Sequence, residues 1–318
     1  MIGHEQDRGF IVSSDLPLII VNPKSGRGLS QREWASYAAD IRMHFGAFEC
    51  EFTKKSGEAS EIAEREAKMG RKLIIGFGGD GTLSDIATGI LRSGAKSELG
   101  LLHHGSGGDL RKTLGIPSPL WEAARRLRDG STRLMDVGKV EYINHQGEKE
   151  SRYFINVASF GMGGQVATRA NRSSKPLGGK VAFANALLQT TFQYDLADVY
   201  VKIGSEEERR YRITNVCIAN ARYFGGGMKI APDAKVDDGL FDVVTIGDFS
   251  TAEMVLHSYR LYLGTHLNLD KVAFARATRV EARPAQEGHE VTMEVDGETP
   301  GRLPAVFELI PQALAVRC

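Results

Sequence analysis

Cysteine is scarce: Cys50, Cys217 and Cys318 are the only three in 318 residues, and no two stand at CxxC spacing. That spacing argues against a zinc knuckle or a disulfide framework, leaving incidental thiols and a reducing compartment as the expectation. Long apolar runs are missing as well. None approaches the ~18 residues that a spanning helix needs. The opening MIGHEQDRGF is acidic early and carries no apolar segment, so a cytosolic location is expected. Charge of one sign is not in excess either, because 40 basic and 40 acidic residues give a formal net charge of +0. No nucleic-acid partner is expected on that basis, and contact with an anionic bilayer would have to come from a local patch. Repeats and low-complexity tracts are absent. What is present is a 42% apolar composition over a length that suits two domains of ~100–200 residues.

From Leu16 to about Asp136, short apolar strands alternate with amphipathic helices, which predicts a parallel sheet covered on both faces. Leu18–Val21, Leu73–Phe77 and Leu99–His103 are the clearest strands. Trp34, Tyr37, Ala38, Ile41 and Phe45 recur at helical spacing, as do Ala59, Ile62, Ala63 and Ala67. Ser118 and Pro119 read as the cap and first position of a further helix that closes at Gly130. After Leu134 the texture turns to β-branched alternation over Val137–Ile143, Arg152–Val157, Ala197–Ile203 and Arg209–Ile218, which predicts an antiparallel, β-rich second domain. Two helices are expected within it, Lys180–Tyr194 and Thr251–Leu263. The expected fold class is α/β, with a parallel-sheet domain over 1–134 and the β-rich domain over 135–302.

The strongest local signal is the strand Ile74–Phe77 running into Gly78-Gly79-Asp80-Gly81-Thr82 and then a helix through Ile86 and Ile90. Glycines let backbone N–H groups approach a polyphosphate, and the helix start adds partial positive charge. A carboxylate there would repel phosphate unless it meets a metal or a substrate proton, so Asp80 reads as functional. Asn22-Pro23-Lys24-Ser25-Gly26 follows the first strand in the same manner, and Gly105-Ser106-Gly107-Gly108-Asp109 follows a third. Any one of these loops alone is an ordinary turn. Three of them after three strands of one sheet converge on one crevice. His103 and His104 read as strand-end structural residues.

In these motifs the chain resembles the diacylglycerol kinase catalytic family, which includes bacterial lipid kinases, sphingosine kinases and ceramide kinases. The resemblance extends through NVASFGMGG at Asn156–Gly164, NARYFGGGMKIAPDAKVDDGLFDV at Asn220–Val243 and VDGE at Val295–Glu298. It implies a nucleotide-binding α/β domain followed by a β-rich lipid domain, with the segment 303–318 rejoining the first. It also implies that the loops at Asn22–Gly26, Gly78–Thr82 and Gly105–Gly107 hold ATP phosphates, with Thr53, Asp85 and Asp109 on the nucleotide side. A structural Mg²⁺ site is implied at the Asp238 side chain and the carbonyls of Lys235 and Leu240, a hard-oxygen set of the kind Mg²⁺ accepts. Asp80 and Glu298 together are implied as the carboxylates that take the proton of the lipid hydroxyl.

Two departures stand out. Gly108 replaces an asparagine common in the family, and Ser84-Asp85 replaces an Asn-Glu pair. The expected activity is Mg²⁺- and ATP-dependent phosphorylation of a lipid such as diacylglycerol, ceramide or a sphingoid base. The alternatives are an NAD kinase-like phosphotransferase and a catalytically weak lipid-binding regulator. The expected partners are the lipid substrate, a transient membrane surface at the inner face and a second copy of the chain. For the membrane contact, Arg169, Arg172, Lys175 and Lys180 ahead of the helix Lys180–Tyr194 read equally as an entry surface or as a solvated basic loop.

Overall fold

The computed structural model describes residues 16–26, 28–172, 190, 196–286 and 288–318. Its first lobe runs β1 (Leu18–Val21), α1 (Gln31–His44), β2 (Glu49–Phe52), α2 (Glu58–Lys68), β3 (Leu73–Gly78), α3 (Asp80–Ser93), β4 (Glu98–His103), α4 (Asp109–Thr113) and α5 (Leu120–Asp129). The parallel strands lie in the order β4-β3-β1-β2. Every residue of β1 and β3 is buried, as expected of strands covered by helices on both faces, whereas β2 alternates in burial at the sheet edge. Ser30 and Glu33 form a reciprocal capping box that starts α1. Trp34 and Tyr37 on that helix pack their rings against Phe77 at 5.2 and 5.5 Å. The helix expected to start at Pro119 begins one residue later, with Pro119 extended at ψ 131° as the capping residue.

The second lobe contains β5 (Thr132–Asn144), β6 (Lys149–Phe154), β7 (Val157–Gly161), α6 (Met162–Arg172), β8 (Ala197–Ile203), β9 (Arg209–Ile213), β10 (Asn215–Ala219), β11 (Phe241–Ile246), α7 (Thr251–Leu263), β12 (Val272–Ala277), β13 (Arg279–Pro284), β14 (Thr292–Val295) and β15 (Glu298–Arg317). One layer runs β12-β11-β10-β7-β14-β15 and the other carries β5, β6, β13, β8 and β9, also joined through β15. Between them lies a core in which Phe154 stacks on Phe241 at 5.5 Å and Phe160 on Phe307 at 6.1 Å. Two expected strands each prove to be two. Arg152–Val157 breaks after Phe154, and Arg209–Ile218 breaks at Thr214, because at each point the chain leaves one layer for another. The expected helix Lys180–Tyr194, with Lys175 and Lys180, lies outside the described residues apart from position 190.

The 20-residue β15 stitches the lobes together: it pairs antiparallel with β14, β13 and β5, and its end, Ala315–Arg317, pairs parallel with Glu98–Gly100 of β4. Its register shifts between Ile310 and Leu314, where Gln312 adopts φ 51°. The buried carboxylate of Asp136 holds that kink, accepting the Gln312 N–H at 2.8 Å through one oxygen and the Gly239 N–H at 2.8 Å through the other. A buried charge with both oxygens hydrogen-bonded is tolerable where an unpaired one is not. The consequence is that the β15 kink is tied to the turn at Gly239.

Candidate active site

Three loops leave the carboxyl ends of β1, β3 and β4 on the same edge of the parallel sheet, and they are latched to one another. Asn22 Nδ2 donates to Thr82 Oγ1 at 2.9 Å, joining the first loop to the second. The His104 N–H donates to the Gly78 carbonyl at 2.7 Å, joining the second to the third. His104 also stacks on Phe77 at 5.0 Å and meets Ser25 Oγ at 3.1 Å through Nδ1, and burial lowers its pKa. His104 is thus built into the packing of the loops, and the His103 ring lies under the third, 3.0 Å from where a Cβ on Gly105 would fall. Lys24 donates its N–H to Asn22 Oδ1 at 2.9 Å. The start of the 14-residue α3 carries no side-chain cap, which leaves its first N–H groups available to an anion.

Asp80 sits at that helix start and reaches across to the third loop. Its Oδ2 accepts the Gly108 N–H at 2.7 Å and its Oδ1 the Leu110 N–H at 3.2 Å. The approach is so close that a Cβ on Gly107 would fall 2.6 Å from Oδ2, and one on Gly105 would fall 2.7 Å from the Gly79 Cα. Glycine is required at both places by contact. Asp109 is buried, accepts the Lys112 ammonium of its own helix at 3.0 Å and bonds onward to the other lobe by accepting the Gly226 N–H at 2.8 Å. Burial, and then the neighbouring Asp80, push the Asp109 carboxyl above its usual range.

On the facing wall, the turn between β14 and β15 presents Asp296, Gly297 and Glu298. Asp296, held at φ 48°, is structural: it accepts the N–H groups of Ile155, Asn156 and Val157 at 2.9 to 3.1 Å and the Ser84 hydroxyl at 2.8 Å. Through Ser84 this turn is fastened to α3, so the lobes meet at a hydrogen-bonded carboxylate. Glu298 is half-exposed and pairs with Arg152 at 2.6 Å. Asp85 shares that guanidinium's neighbourhood. Burial, and next the Glu298 charge, raise the Asp85 carboxyl to about 6.

Asp80, Asp85, Asp109, Asp296 and Glu298 line one cavity of about 490 Å³. Of the nucleotide-side residues expected from the sequence, Asn22, Lys24, Ser25, Gly26, Thr53, Gly79, Gly81, Thr82, Asp85, Gly105, Ser106, Gly107 and Asp109 line it. Gly78 does not, because it ends β3 beneath Thr82. Asp80 and Glu298, 218 positions apart in the chain, face the same space. Away from the loops the cavity turns apolar, with Val157, Val166, Phe224, Met228, Ile246 and Leu261 on its wall.

Three groups were not anticipated. Lys55 adds a cation to the lining beside Thr53, Glu294 faces the cavity from β14, and Arg152, behind the lining, pairs with Glu298. Glu294 accepts the Ser159 hydroxyl at 3.0 Å and the Gly297 N–H, and burial raises it to about 8, so at neutral pH it is mostly the uncharged acid. Period-2 alternation puts Glu294 on the face opposite Met293 and Val295. In a sandwich strand that face reads as solvent, which is why the sequence hides it.

Lys235, Asp238 and Leu240 lie away from the cavity. Asp238 accepts the Leu240 N–H at 3.2 Å with one oxygen and the Arg276 guanidinium with the other, while Arg276 also binds Asp242 at 3.0 Å. The place where a cation would neutralise Asp238 is held by a side chain of the protein. As arranged, both oxygens of Asp238 are engaged by donors of the protein itself.

A parallel sheet with converging phosphate loops, closed by a β-sandwich that brings a carboxylate across the cleft, is the architecture of a phosphotransferase. Residues 17–140 match the model of the diacylglycerol kinase catalytic domain, and residues 156–318 match that of the YegS C-terminal NAD kinase beta sandwich-like domain. The chain belongs to the diacylglycerol kinase family and is a lipid kinase. The diacylglycerol kinase of Staphylococcus epidermidis (strain RP62A) is 28% identical over 300 residues, 94% of this chain and 90% of that one. That of Staphylococcus aureus (strain Newman) is 28% identical over 292 residues, covering 91% and 88%. In fold, the chain is similar to the crystal structure of a diacylglycerol kinase from Bacillus anthracis str. Sterne, with a TM-score of 0.70 and 20% identity over 95% of this chain and 96% of that one. No helix among the described residues is long and apolar enough to cross a membrane.

Proposed function

We propose that this kinase transfers the γ-phosphate of ATP to the hydroxyl of a lipid of the diacylglycerol type, at the cytoplasmic face of a membrane. The observation that carries the reading is the single cavity that runs from three latched glycine loops, past Asp80 and Glu298, to an apolar wall. The triphosphate lies along Asn22–Gly26, the start of α3 and Gly105–Gly107, where backbone N–H groups and Lys24 meet its charge. Mg²⁺ brought with the nucleotide would offset the charge that develops on the phosphates, and Asp80 is the carboxylate beside the glycine loops that would face it. The acyl chains occupy the apolar end.

In the transfer, the lipid hydroxyl oxygen forms a bond to the γ-phosphorus while the bond from that phosphorus to the bridging oxygen of ADP breaks. The hydroxyl proton passes to a carboxylate, and Asp80 and Glu298 are the two that face the reacting space. They are held differently. Asp80 is pinned through two backbone amides, which fixes its position against the phosphates, whereas Glu298 is oriented by Arg152 and half-exposed. Asp85 stands by as a nearby carboxylate that changes charge just below neutral pH. Ceramide and sphingoid bases offer the same hydroxyl beside apolar chains and are the other acceptors to try.

The test is incubation with γ-labelled ATP, Mg²⁺ and a panel of diacylglycerol, ceramide, sphingosine and NAD, with product masses read out. Label on a lipid, heavier by one phosphate, is expected. Label on NAD would replace this reading with that of a nicotinamide-nucleotide kinase, and label on nothing would contradict it.

A further inference from the structure

The helix α7 is unusual in having no buried residue. At ~100° per residue, Ala252, Val255, Leu256, Tyr259, Tyr262 and Leu263 fall within one arc of about 120°. No polar side chain falls inside that arc except the two tyrosine hydroxyls. Leu256 is 66% exposed and Leu263 61%, and the other large side chains of the arc are about half exposed. The opposite face is anchored: the Lys229 N–H donates to the Leu261 carbonyl at 2.7 Å, and His257 packs edge-on to Phe249 at 6.2 Å. Leu261 on that inner face is part of the cavity's apolar wall. One helix therefore lines the acceptor end of the cavity inside and shows an uninterrupted apolar stripe outside.

We infer that the outer stripe of α7 is the surface by which the kinase rests on its substrate membrane, an assignment that takes the lipid kinase reading as its premise. Three observations favour a bilayer over a second copy of the chain. The stripe covers a helix ~20 Å long and ~10 Å across, so about 200 Å², far short of the ~800 Å² per partner of a stable protein interface. Tyr259 and Tyr262 put an apolar ring and a polar tip side by side, the preference of the headgroup boundary. Arg260 flanks the stripe with its guanidinium 5.9 Å from the Tyr259 ring, and Lys229 runs beside the helix end at Gly264, so cations border the apolar strip as anionic headgroups require. A lipid leaving the bilayer next to α7 would then reach the cavity past Leu261 without crossing water.

The test is co-sedimentation of the full chain with vesicles of phosphatidylethanolamine and phosphatidylglycerol, comparing the wild type with the double variant Leu256→Glu, Leu263→Glu. The variant should bind at least roughly tenfold more weakly, and phosphorylation of long-chain lipid in those vesicles should fall in step. Its rate on water-soluble dihexanoylglycerol should be unchanged, since neither residue touches the cavity. Equal sedimentation of the two proteins would overturn the assignment. So would a wild-type dimer in sedimentation equilibrium that the variant converts to monomer, because a second copy would then cover the stripe. If the double variant misfolds by circular dichroism, the single change Leu256→Gln carries the same comparison with a smaller loss. A wild type that phosphorylates no lipid yet sediments through Leu256 and Leu263 would sink the kinase reading and leave the membrane surface standing.

Discussion

The two ends of the cavity are made of different materials. At the glycine-loop end, proposed for the nucleotide, the surface is mostly backbone, with loops pressed against one another until no Cβ fits and hydrogen bonds such as Asn22 to Thr82 fixing their spacing. At the apolar end, proposed for the lipid, it is side chains scattered over β7, α6, β11 and α7. Backbone-built sites need particular residues at fixed offsets and so leave motifs. Side-chain-built pockets need only apolar volume, which many sequences supply. The carboxylates meet where the two materials join.

That contrast predicts where mutation bites. The largest effect is expected at Asp80, where Asp80→Asn removes a charge aimed at the reacting space and weakens the hold on the Gly108 and Leu110 amides; turnover should drop ~10²–10⁴-fold with the fold intact. Initial rates together with a thermal melt check both halves, and an active Asp80→Asn protein would dissolve the distinction between the ends. Next is Asp296, a motif residue whose work is structural. Asp296→Ala strands three backbone N–H groups and the Ser84 hydroxyl, with an expected stability loss of ~3–5 kcal/mol in urea denaturation, whereas Ser84→Ala should cost only ~1 kcal/mol.

The smallest effect sharpens the comparison through pH. Because Glu294 binds its proton more tightly folded than unfolded, the stabilisation is complete below its unfolded pKa and is lost as pH rises through about 8. Asp85 does the same around about 6. Glu294→Gln should therefore gain on the wild type as pH rises, by a few kcal/mol above about 8 and by little below pH ~5, as read from urea midpoints across that range. A flat difference would mean that Glu294 stays charged in the fold.

The sequence was most legible where period and loop chemistry coincide: β3, Gly78–Thr82 and α3 emerge as a strand, an anion loop and a helix start, and Asp80 stands out as the acid in the wrong place. The long-range meeting of Asp80 with Glu298 came only with the family resemblance, since locally Asp296-Gly297-Glu298 is a turn. Roles were hidden where a residue's partner is far along the chain. Ser84 looked like a lost amide until its bond to Asp296 was visible, and Arg152 looked like one more alternating strand residue. Asp238 is locally a turn residue and a metal ligand only by the family resemblance, and its pairing with Arg276, 38 positions on, is another long-range bond that the sequence hides.

The most direct measurement is a crystal structure of the chain with Mg²⁺, a non-hydrolysable ATP analogue and a short-chain diacylglycerol. The predicted result is a triphosphate along the Asn22, Gly79 and Gly105 loops, its γ-phosphorus facing the lipid hydroxyl between Asp80 and Glu298, and acyl chains against Val157 and Leu261. A nucleotide bound elsewhere, or a lipid hydroxyl out of reach of both carboxylates, would contradict it.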